Sequence, residues 1–260
     1  MKKILTFSAV FALLLGSVFA EQVVFAEDDA SRSTYANGWS GGQNGGNGFE
    51  PWNLYVTQEE NAESHAGLFT ATIEDNSDID EVGIKGKAFG FFANGISFEE
   101  ATAFRRFATF LVPGDSFSFL LRTGSFERKF EMDSPEKGGV GITLRATSIA
   151  QKPADYNLDT RLEFGTYEGQ ENYQIIDGEA EKDTGIKVTD EPISVSITLL
   201  TADTYTLEVA NLGSKQVTRL ENRKLGGSAG APIESFCAFN RDGEKSDVFF
   251  NGFQISKAAQ

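Results

Sequence analysis

Two glutamates in one strand-like segment are the candidate residues for acid–base chemistry. Glu163 and Glu168 lie five positions apart. Hydrolysis of a glycosidic bond needs two carboxyl groups on one face, about 5 Å apart for retention of configuration and further apart for inversion. Side chains alternate along a strand, so residues five apart point to opposite faces of an unbroken strand. The spacing therefore does not place these two carboxyl groups together.

A glycine-rich segment, residues 37–48, carries amide side chains that are bracketed by two tryptophans. Asn44 and Asn47 lie between Trp39 and Trp52. Amides hydrogen-bond sugar hydroxyls, and exposed aromatic rings can cover the face of a sugar. These four residues are therefore our leading candidates for binding a glycan. The alternative is that both tryptophans anchor the core while the glycines supply tight turns.

Two tyrosines flank a turn between predicted strands and join the candidate ligand-binding residues. Tyr167 precedes the turn at residues 168–170, and Tyr173 follows it. At the rim of a sheet their rings could stack on a sugar, or they could cap the edge of the core.

Acidic side chains in residues 74–81 offer oxygen ligands for calcium. The candidate ligands are Asp75, Asp78 and Asp80. This run lacks the ligand order and the closing glutamate of an EF-hand, so a solvated loop is the alternative. The single histidine of the chain excludes a zinc site with several histidines. The sequence requires no cofactor, and calcium is the one metal ion that it suggests.

The chain is strongly acidic, with 38 Asp and Glu against 23 Lys and Arg and a net charge of −15. Binding of polyanions relies on clustered basic residues that release counterions. Nucleic acids and anionic membranes are therefore poor partners. The candidate amides and aromatic residues make a polysaccharide or other glycan the expected partner. The only cysteine, Cys237, excludes an intrachain disulfide and lies in an apolar run where we expect it to be buried.

The first twenty residues have the layout of a secretory signal peptide. Two lysines precede an apolar stretch at residues 4–15, and small residues end at Ala20. The same Val-Phe-Ala ending recurs at Ala26, so cleavage after residue 26 is the alternative. No later stretch reaches the roughly 20 apolar residues of a membrane span. We expect a secreted or extracellular protein, with the periplasm and the cell surface as alternatives.

Many short segments alternate apolar and polar residues with the period of a half-buried strand. They are residues 68–73, 115–122, 126–132, 141–147, 161–167, 172–176, 193–199, 204–210 and 233–240. The short link at 201–203 predicts a hairpin. Many short strands with regular turns are typical of a sandwich or barrel. We therefore predict an all-β fold of two antiparallel sheets.

The last apolar run, residues 247–256, has apolar side chains on both faces. This pattern is typical of a strand that is covered on both sides or placed centrally in a sheet. We predict that it pairs with a strand over residues 49–56.

Residues 38–52, in which tryptophan, glycine and asparagine lead into Pro51 and Trp52, resemble the opening of a family of exported bacterial proteins. Further segments resemble that family in the same order: residues 88–94, 104–119, 183–186, 201–205 and 247–253. Such proteins resemble concanavalin-A-like jelly rolls of the lectin and glucanase type, and many carry a PEP-CTERM sorting tail. The resemblance implies a two-sheet antiparallel jelly-roll sandwich. The tail is missing here, which favours release over surface anchoring.

The resemblance also bears on one ambiguous segment and on the domain organisation. Capping-box spacing at residues 97–100 allows a short helix, whereas the resemblance implies a strand over 101–110. The expected organisation is a flexible mature N-terminus at 21–34, one jelly-roll domain at 35–257 and a tail at 258–260.

Three functions are compatible with these observations. The first, which is our prediction, is a secreted, non-catalytic, lectin-like protein that binds carbohydrate. The second is a structural or adhesive protein of the cell surface or matrix, since the acidic sandwich lacks a catalytic signature. The third is a glycoside hydrolase or polysaccharide lyase, which would depend on Glu163.

Overall fold

The computed structural model describes residues 22–58, 65–94, 98–123, 138–147, 158–241 and 244–258. These residues form β-strands that we number in chain order. The first eight are β1 (Gln22–Asp28), β2 (Asn53–Thr57), β3 (His65–Thr72), β4 (Lys87–Asn94), β5 (Glu100–Leu111), β6 (Asp115–Arg122), β7 (Gly139–Arg145) and β8 (Thr160–Tyr167). The next seven are β9 (Asn172–Ile176), β10 (Asp183–Lys187), β11 (Ile193–Leu199), β12 (Thr204–Asn211), β13 (Val217–Lys224), β14 (Ile233–Arg241) and β15 (Glu244–Ala258). Two short 3₁₀ turns occur at Ser33–Tyr35 and Ser77–Ile79.

The strands form two antiparallel sheets. The eight-stranded sheet has the order β13-β12-β11-β6-β15-β4-β3, and β1 also pairs with β15. The seven-stranded sheet has the order β10-β9-β8-β7-β14-β5-β2. Strands distant in sequence lie side by side, with β6 between β11 and β15 and with β14 between β5 and β7. This arrangement confirms the predicted two-sheet jelly-roll sandwich. No helix in the described part of the chain is both long and apolar enough to cross a membrane.

The core lies between the two sheets and is rich in phenylalanine. Side chains alternate along β11 so that Ile193, Val195, Ile197 and Leu199 are all buried. Aromatic rings from both sheets meet at the centre, where the centroid of Phe236 lies 4.9 Å from that of Phe253 and 5.0 Å from that of Phe117. Each buried aromatic removes a large apolar area from water, which is the main source of stability for this fold. Cys237 is a buried free thiol, as predicted.

Most of the predicted strands are present. The hairpin of β11 and β12 is confirmed, with pairs running from Ile193↔Asn211 to Leu199↔Tyr205. Residues 101–110 lie in the strand β5, which confirms the strand over the helix. The β5 residues Ala101, Ala103 and Phe107 belong to the main core, a spacing that matches a strand rather than a helix. The predicted strand at 126–132 falls outside the described residues.

The final strand, β15, lies centrally, but its predicted partner is wrong. It pairs with β6, β4 and β1 in the eight-stranded sheet. The strand from the 49–56 region, β2, pairs instead with β5 in the opposite sheet. Strand neighbours depend on contacts between distant parts of the chain, which alternation within one segment does not reveal.

The expected flexible N-terminus, residues 21–34, is corrected by the structure. Residues 22–28 form β1, which pairs with β15 from Gln22↔Ala258 to Asp28↔Phe253. Ala26 and Asp28 are each only 1% exposed. The sandwich therefore includes residues 22–28, because β1 has both a paired edge and buried side chains.

A buried ion pair joins β1 to β5. The side chains of Asp28 and Arg105 are both fully buried, and the guanidinium Nη1 of Arg105 contacts the Asp28 carboxylate. The same carboxylate accepts a hydrogen bond from the hydroxyl of Tyr35. That hydroxyl in turn accepts hydrogen bonds from the backbone N–H of Gly45 at 2.9 Å and from the indole N–H of Trp52 at 3.0 Å. One carboxylate thus holds β1, the 3₁₀ turn and the glycine-rich segment together.

The remaining surroundings of Arg105 also come from the segment around the glycines. Its Nε donates to the carbonyl oxygen of Glu50 at 2.9 Å, and its Nη2 donates to Oδ1 of Asn44. Its guanidinium carbon lies 4.8 Å from the ring centroid of Phe49 and 4.5 Å from that of Trp52. Buried charges are tolerated only when they are paired and hydrogen-bonded, and this guanidinium meets both conditions.

We expect Asp28→Ala to lower the free energy of unfolding by about 3–5 kcal/mol, because it leaves the Arg105 charge buried and unpaired. Urea unfolding followed by tryptophan fluorescence measures the loss. The double variant Asp28→Leu with Arg105→Met should recover most of it, since no buried charge then remains. Glu208→Ala, which breaks the exposed pair of Glu208 with Arg219, is the control and should resemble the parent. A loss for Asp28→Ala as small as that of the control would contradict this prediction.

Candidate functional site

A cleft opens where the edge strand β10 of one sheet meets the β11–β13 edge of the other. Its volume is about 360 Å³. Residues of β10 and the link that follows it form one side, and residues of β11, β12 and β13 form the other. The lining residues are Gly185, Ile186, Lys187, Thr189, Ile193, Val209, Asn211, Gln216 and Thr218.

The floor of the cleft is aliphatic. Ile193 and Val209 are buried core residues, and Ile186 packs against the same core. The register between β11 and β12 places Asn211 opposite Ile193, and the register between β12 and β13 places Thr218 opposite Val209. Directly paired residues in an antiparallel sheet share a face, so this register brings an amide and a hydroxyl to the edge of the apolar floor.

The turn between β12 and β13 presents two amide side chains. The N–H of Asn211 donates to the carbonyl oxygen of Gln216 at 2.9 Å, which closes the turn. The Oδ1 of Asn211 accepts a hydrogen bond from the N–H of Ser214 at 2.7 Å. Within the described ranges, the Asn211 Nδ2 and the Gln216 side-chain amide have no protein partner. Both amides are therefore available to a ligand.

The β10 side adds a cation and open space. The backbone of Gly185 has a positive φ of 69°, and a Cβ atom placed there would meet nothing within 4 Å. Lys187 is exposed, and it has no ion-pair partner in the part of the chain that the structure describes. The Oγ1 of Thr189 accepts a hydrogen bond from the N–H of Glu191 at 3.0 Å, which forms a local turn after β10.

These features suit binding better than catalysis. Small-molecule sites combine an apolar surface with a few polar groups and usually occupy about 300–1,000 Å³, so this cleft is at the small end of the range. Amides, hydroxyls and an ammonium can bind the hydroxyl groups of a polyol, and the half-buried side chain of Ile186 can contact its C–H face. None of the nine lining residues carries a carboxyl or imidazole group that could act as a general acid or base.

The tryptophans predicted to bind a sugar are core residues instead. Trp39 is 6% exposed and Trp52 is 1% exposed. Their rings pack edge to face with centroids 5.1 Å apart, and both contact Phe89. Neither ring presents a face to solvent, so the stacking role is corrected to that of core anchors. Indole rings carry large apolar areas, and their burial stabilises the sandwich more than exposure would.

The asparagines of the same segment have internal partners. The Nδ2 of Asn44 donates to the carbonyl oxygen of Phe49 at 2.8 Å, while its Oδ1 accepts from Arg105. The backbone of Asn47 exchanges hydrogen bonds with the backbone of Glu27 at 3.1 and 3.0 Å. The glycine-rich segment is thus fastened to β1 and β5. Binding of a ligand by the Asn44 side chain would require the loss of these bonds.

Glu163 lies on the face of the seven-stranded sheet that is turned away from the other sheet. It is 3% exposed, accepts a hydrogen bond from Thr143 at 3.1 Å and accepts another from the hydroxyl of Tyr167. Burial raises the pKa of its carboxyl, and the hydrogen bonds from Tyr167 and Thr143 and the charge of Arg241 only partly oppose this effect. Glu168 lies in the turn after β8, where its N–H donates to the carbonyl oxygen of Gly138 at 3.0 Å. One carboxyl is therefore buried on the strand, whereas the other is half-buried in the turn.

The two candidate tyrosines have different surroundings. Tyr173 is 1% exposed, faces the core and stacks on Phe164 with ring centroids 5.3 Å apart. Burial raises the pKa of its hydroxyl to about 12. Tyr173 is therefore a core residue, which matches the second of its two interpretations. Tyr167 is half-buried, and its hydroxyl is engaged by Glu163.

The candidate calcium ligands lie in an exposed loop around the 3₁₀ turn Ser77–Ile79. Asp75 accepts a hydrogen bond from the Thr72 hydroxyl at 2.7 Å, and Asp80 accepts one from the N–H of Glu81 at 3.1 Å. Asp78 belongs to the 3₁₀ turn itself. Across the described ranges, no three Asp, Glu, His or Cys side chains come together as a metal site. Calcium binding by this loop stays a prediction.

The cleft residues have no motif in the sequence. Residues 183–186 belong to a segment that carries the family resemblance, whereas Asn211, Gln216 and Thr218 belong to no such segment. The cleft forms because the edges of two different sheets meet, and its lining residues extend from Gly185 to Thr218 in the sequence. The amides in the turn after β12 are the only local signal that could have pointed to it.

The two sheets and their strand order define the class of protein as a two-sheet antiparallel jelly-roll sandwich. No family model matches the chain, and no curated protein matches its sequence. Similar solved structures include the carbohydrate esterase of the Shiga toxin-encoding bacteriophage phi24B, at 9% identity and a TM-score of 0.48 over 92% of this chain and 100% of that chain. The Ca²⁺- and Man3GlcNAc-bound lumenal domain of VIP36 has 8% identity and a TM-score of 0.43 over 80% and 84%. Lectin II from Ulex europaeus has 8% identity and a TM-score of 0.38 over 78% and 97%. These likenesses concern the fold alone.

We expect the buried Glu163 carboxyl to make the protein less stable as the pH rises. Its pKa is raised in the folded state, so above the usual glutamate pKa the unfolded chain releases this proton first and unfolding becomes easier. Glu163→Gln removes this dependence, and it should therefore melt at a higher temperature relative to the parent at neutral pH than at acidic pH. Melting curves from about pH 4 to about pH 8 measure the difference. Glu221→Gln on the exposed side of β13 is the control, and a parallel pH profile for parent and Glu163→Gln would refute the prediction.

Proposed function

We propose that this protein is an exported, non-catalytic carbohydrate-binding protein that holds part of a glycan in the cleft between β10 and β13. The observation that carries the proposal is the pairing of the half-buried aliphatic side chain of Ile186 with amides that have no protein partner among the described residues. A sugar ring offers hydroxyl groups around its rim and C–H groups on its faces, so it complements both parts of this surface.

The size and charge of the cleft limit the kinds of sugar that it can bind. A volume of about 360 Å³ accommodates one or two sugar residues rather than a long stretch of polymer. Lys187 supplies a positive charge in a chain whose net charge is −15. A terminal or side-branch sugar, neutral or carrying a carboxylate that Lys187 can pair with, is therefore the ligand that the site fits best.

Glycan cleavage is the second candidate, and Glu163 is the observation in its favour. A buried carboxyl with a raised pKa is the kind of group that serves as a general acid. It lies away from the cleft, on the outward face of the seven-stranded sheet, so a cleaved substrate would bind there. Release of reducing ends or of unsaturated products, abolished by Glu163→Gln, would support this function over simple binding.

A glycan array with the purified protein tests the proposal, with and without added calcium. Specific binding to a set of glycans that share a terminal or branch sugar, without release of reducing ends, is the expected result. If binding depends on calcium, the loop of Asp75, Asp78 and Asp80 would be the candidate site for the calcium ion. Binding to no glycan, together with self-association, would refute the proposal in favour of a structural or adhesive role.

The cleft itself is tested by a pair of matched substitutions on β13. Thr218 lines the cleft, whereas its neighbour Val217 is exposed on the opposite face. Thr218→Trp should fill part of the cleft and weaken glycan binding at least tenfold, about 1.4 kcal/mol, in isothermal titration calorimetry. Val217→Trp should bind like the parent.

Asn211→Ala provides a milder change, since it removes one amide without filling the space. The loss of one hydrogen bond of about 1 kcal/mol predicts a roughly fivefold weaker affinity. Equal affinity for Thr218→Trp, Asn211→Ala and the parent would place the glycan elsewhere.

A further inference from the structure

The secretory leader predicted from the sequence has two equivalent endings. Residues 18–21 and residues 24–27 both read Val-Phe-Ala-Glu. Each has small or apolar residues before the bond in the pattern that signal peptidase requires. The local sequence therefore does not choose between cleavage after Ala20 and cleavage after Ala26.

Residues 22–26 belong to the folded sandwich. They supply most of β1, which pairs along β15 through Gln22↔Ala258, Val23↔Lys257, Val24↔Ser256 and Ala26↔Ile255. The hydroxyl of Ser256 also donates to Oε1 of Gln22 at 3.0 Å. Without these residues, this part of β15 would lose its partner on the side opposite β6 and expose unpaired backbone groups.

The packing of Ala26 ties the same residues to the glycine-rich segment. Ala26 is 1% exposed, and Gly48 lies so close that a Cβ atom at position 48 would be 2.3 Å from the Cβ of Ala26. Two residues later, Asp28 makes the buried ion pair with Arg105. A chain that began at Glu27 would hold this ion pair from its second residue, next to a charged and mobile amino terminus.

We infer that signal peptidase cleaves after Ala20, so that the exported protein begins at Glu21 and retains all of β1. Cleavage there leaves a single residue before the first paired position, Gln22. The boundary of the leader thus coincides with the boundary of the fold. The repeated Val-Phe-Ala at 24–26 is a part of β1 and not the processing site.

The test is the amino terminus of the exported protein. The full chain is produced in a bacterium with an intact general secretion pathway, recovered from the periplasm or medium, and analysed by intact mass and N-terminal sequencing. A chain that starts at Glu21 is the expected result. A chain that starts at Glu27, or one that retains Met1, would overturn the inference.

Two further comparisons separate the choice of site from the importance of β1. Ala20→Leu places a bulky residue before the inferred bond and should cause unprocessed chain to accumulate; efficient export of a folded product starting at Glu27 would overturn the inference.

Chains 21–260 and 27–260, made directly, should differ by about 10 °C or more in melting temperature. Equal melting temperatures would show that β1 is dispensable and remove the structural basis of the inference.

Discussion

The ion pair between Asp28 and Arg105 is the interaction on which the N-terminal half of this sandwich depends. Two opposite charges are removed from water, which is costly unless both are fully satisfied. Here the guanidinium contacts a carboxylate, a backbone carbonyl and an amide, and two aromatic rings cover its faces. The segments that supply these groups must all be in place at once, so the pair couples β1, the glycine-rich segment and β5.

This constraint explains why the aromatic and glycine-rich opening of the domain is structural. Trp52 donates to Tyr35 and covers Arg105, and Trp39 packs on Trp52. At the other end of the strand order, β10 and β13 are the edge strands of their sheets, and their residues Ile186 and Leu220 are only partly buried against the core.

The sequence predicts the elements of this fold better than their neighbours. Alternation alone identifies the β11–β12 hairpin, because both strands and their turn are local. The pairing of β1 with β15 depends on contacts between the two ends of the chain, which no local pattern encodes. Trp39 and Trp52 looked like a sugar platform because exposed and buried aromatics share the same local signature. The cleft had no signature of its own, since it arises only when two sheet edges meet.

The central claim is that a glycan binds between β10 and β13, and the most direct test is a crystal structure of the protein with the glycan that binds it most tightly. The account predicts a sugar ring against Ile186, hydrogen-bonded by Asn211 or Gln216. A sugar bound on the outward face of the seven-stranded sheet, beside Tyr167, would contradict it.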